Sequence, residues 1–216
     1  MKHIIFDLDG TLTDSGKGIM NSVLYAYEKL GIEAPFGSEL RKFVGPPLTE
    51  SFGSHGVPSE RINEAVTLYR ERYVHGGGKY ENEVYEGVEK LLKDLKDEGY
   101  KLYVGTSKPE ALSKDILAHF ELDKYFDIIA GASLDLTRET KTQVLEYLLD
   151  QIKTEEEKPV MIMVGDTKYD VIGAADLSIP CIGVSWGYGT VSDMQNAGAA
   201  DIATSPEELF AILKKW

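Results

Sequence analysis

Apolar and polar positions follow two rhythms along this chain. The first is a set of short apolar runs: Ile4-Ile5-Phe6 leading into Asp7-Leu8-Asp9-Gly10-Thr11, then Lys101–Gly105, Phe126–Ala130, Val160–Val164, Cys181–Val184 and Asp201–Ala203. Each has the length of a strand and is too short for a helix. The second rhythm repeats apolar residues every three to four positions. Val88, Leu91, Leu92 and Leu95 make one helix face, ended by Gly99. Further helices are predicted from Pro109 (with Leu112, Ile116 and Phe120) and over Lys141–Ile152, Asp170–Leu177, Val191–Ala197 and Pro206–Lys215. Short apolar strands alternating with helices predict a parallel sheet covered on both faces.

Residues 15–80 break that alternation, because nothing in them has a strand pattern. Ile19, Val23, Tyr27 and Leu30 mark a helix closed by Gly31, and the glycines and prolines between Pro35 and Gly56 predict short helices broken by loops. Pro58-Ser59 opens another helix with Ile62, Val66, Tyr69 and Tyr73 on one stripe, and Gly76-Gly77-Gly78 ends it. The expectation is an α/β fold: a Rossmann-like parallel sheet with helices on both faces, made of residues 1–14 and 83–216, plus a small all-helical domain over residues 15–82. Hinges are expected at Thr13–Gly16 and Gly78–Val84.

Composition narrows the partners. A hydrophobic fraction of 43% is enough for a substantial core, and a formal net charge of −13 argues against nucleic acid or an anionic membrane surface. Cys181 is the sole cysteine, so neither an intrachain disulfide nor a cysteine metal site is expected. There is no apolar run of about 18 residues. The first residues enter a strand with no charged-then-apolar leader. A cytoplasmic protein without a membrane partner is the expectation. The oligomeric state is not legible.

Polar residues of a consistent kind stand at four strand ends: Asp7 and Asp9; Thr106 and Ser107; Lys141 at a helix start; and Asp166 after Gly165, with Asp170 four residues on. In a parallel sheet such ends gather at one edge, where open α/β folds place their ligands. Residues two apart in a strand face one side, so Asp7 and Asp9 are expected to leave the sheet together, and two like charges so close need a cation or a proton. Asp7, Asp9 and Asp166 supply hard oxygens suited to Mg²⁺. The hydroxyls of Thr106 and Ser107, with the amides of the helix behind them, suit a phosphoryl oxygen. Lys141 stands at a helix N-terminus, a poor place for a cation unless it pairs with an anion; Lys108 is a second candidate for that role. Phosphoryl transfer needs little beyond charge neutralisation and in-line positioning. A calcium loop is excluded, because Leu12 and Gly18 occupy the positions where it needs glycine and an acid. Gly187-x-Gly189 lacks the third glycine of a dinucleotide fingerprint, Ser192 standing there, and is expected to be a loop.

Phe6-Asp7-Leu8-Asp9-Gly10-Thr11 resembles the first motif of the haloacid dehalogenase superfamily, Val104-Gly105-Thr106-Ser107-Lys108-Pro109 the second, Lys141 the third-motif lysine, and Val164-Gly165-Asp166-Thr167-Lys168-Tyr169-Asp170 the acidic fourth motif. The resemblance covers the whole chain, with residues 15–82 placed like a C1 cap, and is nearest to the phosphoglycolate-phosphatase-like enzymes. Ser107 departs from it, standing where asparagine is common. The resemblance implies a Mg²⁺-dependent phosphatase acting on a small phosphorylated metabolite through an aspartyl phosphate. It implies Asp7 as nucleophile, Asp9 as acid and base, and Lys141 on the phosphate. It further implies Gly10, Thr106 and Ser107 around the phosphate. The metal would take Asp7, the Asp9 carbonyl, Asp166 and, directly or through water, Asp170. The cap stretch Arg41 to Pro47 is basic in an acidic chain and carries a stiff Gly45-Pro46-Pro47 bend, so Arg41 and Gly45 are expected to contact substrate. Two alternatives stay open: a phosphomutase of the beta-phosphoglucomutase type, and a phospho-aspartate signalling module without turnover. A dehalogenase is disfavoured, having no use for Asp9 or Asp166.

Overall fold

The computed structural model describes residues 2–133, 135, 137–152 and 159–216. In chain order the elements are β1 (Lys2–Phe6), β2 (Thr13–Asp14), α1 (Gly16–Leu30), α2 (Ser38–Arg41), α3 (Leu48–Ser54), α4 (Ile62–Arg70), β3 (Glu83–Val84), α5 (Val88–Asp97), β4 (Lys101–Pro109), α6 (Glu110–His119), β5 (Ile128–Ala132), α7 (Lys141–Gln151), β6 (Val160–Gly165), α8 (Lys168–Ala175), β7 (Cys181–Val184), α9 (Val191–Asn196), β8 (Asp201–Ala203) and α10 (Pro206–Lys215). They fall into two compact units, Met1–Thr13 with Val84–Trp216, and Asp14–Glu83.

The larger unit is a six-stranded sheet in the order β5-β4-β1-β6-β7-β8, with every pairing parallel. Alternation within the strands makes its two apolar layers. Ile4 and Phe6, Leu102 and Val104, Ile162 and Val164, and Ile182 and Val184 pack on one face with Leu91, Leu92 and Leu95 of α5 and Leu209 and Leu213 of α10. Ile5, Tyr103, Met163 and Cys181 pack on the other with Val144, Leu145 and Leu148 of α7 and Val171 and Ala174 of α8. β1, β4, β6 and β7 are therefore covered on both sides, which explains their continuous apolar runs. The strand order reverses direction at β1, which lies between β4 and β6. That is the topological switch point, and the crevice beyond the strand ends there is the favoured ligand position.

β1 ends at Phe6, three residues short of the pattern that places Asp7 and Asp9 on one strand face. The Asp7 amide still donates to Val164 O at 2.9 Å. The chain then turns, the amides of Thr11, Leu12 and Thr13 donating to Leu8 O and that of Gly10 to Thr13 O. Asp7 and Asp9 thus belong to a strand end and a turn. A second difference is at β4, which runs on through Thr106 to Pro109 instead of stopping at Gly105. Its pairing with β5 shifts register between Thr106 and Pro109, so Ser107 and Lys108 lie within the irregularity. Helix α6 begins at Glu110, with Pro109 as its N-cap.

The smaller unit is helical and has an aromatic centre. Tyr27, Phe43 and Phe52 are buried against one another, with ring centroids 5.3–6.4 Å apart, and the Tyr27 hydroxyl donates to His55 O at 2.9 Å. Tyr69 stacks on Tyr73 through a π-helical turn, Glu71–His75. Most of the Gly78–Val84 stretch is pinned within this unit: Glu81 accepts from the Gly18 amide, Asn21 and Arg72. β2 and β3, where the chain passes from one unit to the other, pair as a two-stranded ladder. No helix among the described residues is long and apolar enough to cross a membrane.

Candidate active site

Three carboxylates and an ammonium meet at the switch point. Asp7 follows β1, Asp166 follows β6, and Asp170 stands one turn into the chain after it, in α8. All three are buried, and one oxygen of each lies within 4.8 Å of the others. Lys141, the first residue of α7, reaches into this group. Its Nζ lies 2.8 Å from Asp7 Oδ1 and 2.8 Å from Asp170 Oδ1, and donates to Gly105 O at 3.0 Å. A lysine ammonium has three donors, and here three acceptors face it. The α7 N-terminus is fixed by a capping box in which Thr140 Oγ1 accepts from the Gln143 amide and Gln143 Oε1 accepts from the Thr140 amide, so Lys141 projects from a rigid turn.

Asp166 is fully buried and gripped from two loops. Its Oδ2 accepts from the Tyr188 amide at 2.7 Å and its Oδ1 from Thr11 Oγ1 at 3.3 Å. The fit is so close that glycine is needed on both sides. A Cβ on Gly10, whose φ is +85°, would sit 2.2 Å from Asp166 Oδ2, and one on Gly187 would sit 2.3 Å from the same oxygen. Asp170 Oδ2 accepts from the Thr167 amide at 3.0 Å and from its hydroxyl at 2.8 Å, which ties the carboxylate to the start of α8 while Oδ1 faces Lys141. Thr106 is buried, and its hydroxyl draws the Asp7 carboxyl down against the rise that burial imposes.

Removal from water dominates the electrostatics. Burial pushes the Asp7 carboxyl up from 3.8 to about 6; Lys141 opposes the rise and the charge of Asp170 adds to it. Burial, with the charges of Asp170 and Asp7 behind it, pushes Asp166 to about 8 against the pull of the Tyr188 amide. Burial also works against the Lys141 charge, but Asp170 and Asp7 outweigh it and hold the ammonium above the ordinary lysine value. One ammonium does not neutralise three ionised carboxylates, so the group holds either protons or a further cation. The donor set is all hard oxygen, which fits Mg²⁺.

Of the other residues singled out from sequence, Gly10 forms one wall of the Asp166 pocket and Ser107 stands half-buried in the β4 irregularity. The Asp9 side chain is outside the carboxylate group and pairs with Lys108, Nζ to Oδ2 2.6 Å. The two lysines that compete for one role in the sequence therefore serve different aspartates. Arg41 ends α2 and Gly45, at φ +107°, turns the chain beyond it; both belong to the smaller unit. Sequence reasoning missed the loop after β7. Trp186 Nε1 donates to Thr11 O at 3.1 Å, and Gly187 and Tyr188 close over Asp166. The available signal was Gly187-x-Gly189 directly behind a strand.

Residues 4–184 match the family model described as haloacid dehalogenase-like hydrolase, a span that includes every one of these carboxylates and both lysines. The chain belongs to that family. Its relatives in the family include a 5'-nucleotidase from Pseudomonas aeruginosa, 41% identical over 194 residues that make up 89% of this chain and 86% of the relative. The tyrosine-protein kinase PtkA of Mycobacterium tuberculosis is 41% identical over 186 residues, 86% of this chain and 62% of that longer protein. The crystal structure of a predicted phosphatase from Clostridium acetobutylicum superposes with a TM-score of 0.90 at 44% identity, covering 100% of this chain and 99% of that one.

Proposed function

We propose that this hydrolase is a Mg²⁺-dependent phosphatase that cleaves a small phosphorylated metabolite through an aspartyl phosphate on Asp7. The observation that carries the reading is the buried group of Asp7, Asp166 and Asp170 facing Lys141 at the switch point of the sheet. The family match and the relatives named as nucleotidase and phosphatase support the phosphoric monoester hydrolase class. Asp7, Asp166 and Asp170 are the residues that would hold Mg²⁺; the ion would offset the charge on the phosphoryl oxygens and keep Asp7 ionised.

The chain's own groups divide the remaining work. An Asp7 oxygen attacks phosphorus, the bond from phosphorus to the leaving oxygen breaks, and Asp9 delivers a proton to that oxygen. Asp9 then takes a proton from water, whose oxygen attacks the same phosphorus, releasing phosphate and restoring Asp7. Lys141 orients Asp7 and offsets negative charge on the phosphoryl group, and the hydroxyls of Thr106 and Ser107, with Gly10, line the place where that group sits. The smaller unit is assigned the role of a helical cap that governs substrate choice, with Arg41 and Gly45 as the residues to vary. A second reading, transfer of the phosphoryl to a hydroxyl instead of water, is favoured by the relative named as a tyrosine kinase.

The test is hydrolysis of a panel including p-nitrophenyl phosphate, nucleoside monophosphates, phosphoglycolate and pyrophosphate, with and without chelator. Phosphate release that stops on chelation is expected. Activity unaffected by exhaustive chelation removes the metal from the reading, and phosphoryl transfer to a hydroxyl without phosphate release replaces it with the second.

A further inference from the structure

Asp9 is held by a different lysine from the one that meets the nucleophile. It lies in the turn after β1, and Lys108 Nζ donates to its Oδ2 at 2.6 Å, with the lysine side chain 6% exposed and that of Asp9 16%. Its other oxygen, Oδ1, is buried and has no hydrogen-bond partner among the described residues. Lys108 reaches this position because β4 is irregular. The β4–β5 register shifts across Ser107 and Lys108, and the Lys108 amide folds back to donate to Thr106 Oγ1 at 3.2 Å. Irregularities of this kind re-aim side chains beside active sites. The irregularity thus brings the Lys108 ammonium onto Asp9.

We propose that Lys108 is a positioning residue for Asp9: it grips Oδ2 and leaves Oδ1 as the oxygen that carries the proton. The assignment rests on the acid and base role given to Asp9 above and deepens it. A lysine ammonium only donates, so it can hold Oδ2 when the carboxyl is ionised and equally when Oδ1 bears the proton. The grip therefore survives both half-reactions, which need the same oxygen aimed first at the leaving group and then at water. An acid or base acts efficiently only from a fixed position and within hydrogen-bond reach. The competing role for this lysine, binding an anionic part of the substrate, would act on affinity instead.

The test compares wild type, Lys108→Met and Lys108→Arg, with Mg²⁺ present, on an alkyl phosphate and on p-nitrophenyl phosphate. In Lys108→Met, kcat on the alkyl phosphate is expected to fall roughly 100-fold with KM held within about twofold, as for misdirected acid–base catalysis. Nitrophenolate leaves without a proton, so on that substrate the first half-reaction survives and the second is slow: a burst of nitrophenolate and a phosphorylated chain by intact mass are expected. Lys108→Arg, which keeps a charged donor, is expected to recover most of kcat. A raised KM at unchanged kcat in either variant overturns the assignment in favour of substrate binding, and two unchanged parameters overturn it outright. Should Lys108→Met not fold, Lys108→Gln carries the same readouts. The phosphatase reading fails in the wild type, by absence of phosphate release, and takes this assignment with it; the assignment alone fails in the variants, against an active wild type.

Discussion

The two units of this chain handle charge in opposite ways. The larger has 15 Lys and Arg against 26 Asp and Glu; the smaller is close to balanced, with 8 against 10. The larger buries Asp7, Asp166, Asp170 and Lys141, whereas the only buried charged residue among the described residues of the smaller is Lys79, whose ammonium lies 4.9 Å from the Tyr80 ring centre. At the centre of the smaller unit are aromatic rings instead. Burying ionised carboxylates opposes folding, and a chain retains them where their charge is used. The comparison thus separates a unit whose interior holds a group of charged side chains from one whose interior is packed with aromatic rings.

The largest effect that sharpens this contrast comes from Asp7→Asn. Removing the attacking oxygen is expected to lower kcat on the order of 10⁴-fold or more. Stability should not fall in parallel, because the substitution deletes a carboxyl that burial already pushes up to about 6. Steady-state turnover and a thermal melt of the same sample check both halves. Full activity in Asp7→Asn would remove the nucleophile from the mechanism.

Next in size are core truncations, one in each unit. Phe52→Ala opens the aromatic centre of the smaller unit and is expected to cost about 3–5 kcal/mol; Leu92→Ala, on the buried face of α5, about 2–5 kcal/mol. Denaturant unfolding of the whole chain, followed by far-UV circular dichroism, reads both. Two transitions, each moved by one variant, would sharpen the division into units. A single transition moved by both would break it, making the two interiors one cooperative structure.

Which features the sequence disclosed follows from how local they are. The alternation of Ile4, Ile5 and Phe6 across the two faces, and the three-to-four spacing of Leu91, Leu92 and Leu95, are set by neighbours in the chain, so the parallel sheet and its helical layers were legible. The meeting of Asp7, Asp166, Asp170 and Lys141 was legible too, because a parallel sheet gathers its ends whatever the sequence distance between them. Two features were not. The end of β1 at Phe6 is decided by a turn closed through Leu8 O, which no period-two pattern reveals. The pairing of Lys108 with Asp9 spans 99 positions and depends on a register shift between β4 and β5, which arises only once both strands are placed. Likewise Gly187-x-Gly189 lacks the features of a nucleotide loop, and its glycines are explained only when Asp166 is seen against them.

The smallest expected effect is also the most direct probe of the buried charge. Asp166 has its carboxyl pushed from 3.8 to about 8 and Asp7 from 3.8 to about 6, so between these values the folded chain keeps protons that the unfolded chain has lost. The stability contributed by these groups is therefore fully present below pH 3.8 and declines as pH rises toward 8. Under the proposed function Mg²⁺ would compete for the same oxygens, so its binding would release those protons and be stronger at pH 8 than at pH 6. At a hundredfold excess over its dissociation constant it would add about 2.7 kcal/mol. Thermal melts are expected to show a metal-free midpoint lower at pH 8 than at pH 6, and a rise on adding Mg²⁺ that is larger at pH 8. Asp166→Asn has no such carboxyl to titrate. It should flatten the metal-free pH dependence, raise the metal-free midpoint at pH 8 and lose most of the Mg²⁺ response. Among the described residues the smaller unit holds no group of carboxylates resembling this one, so Glu81→Gln, which changes a partly exposed carboxylate bound to Asn21 and Arg72, should leave the Mg²⁺ response intact. An Mg²⁺ response that follows Glu81 and ignores Asp166 would invert the contrast between the units.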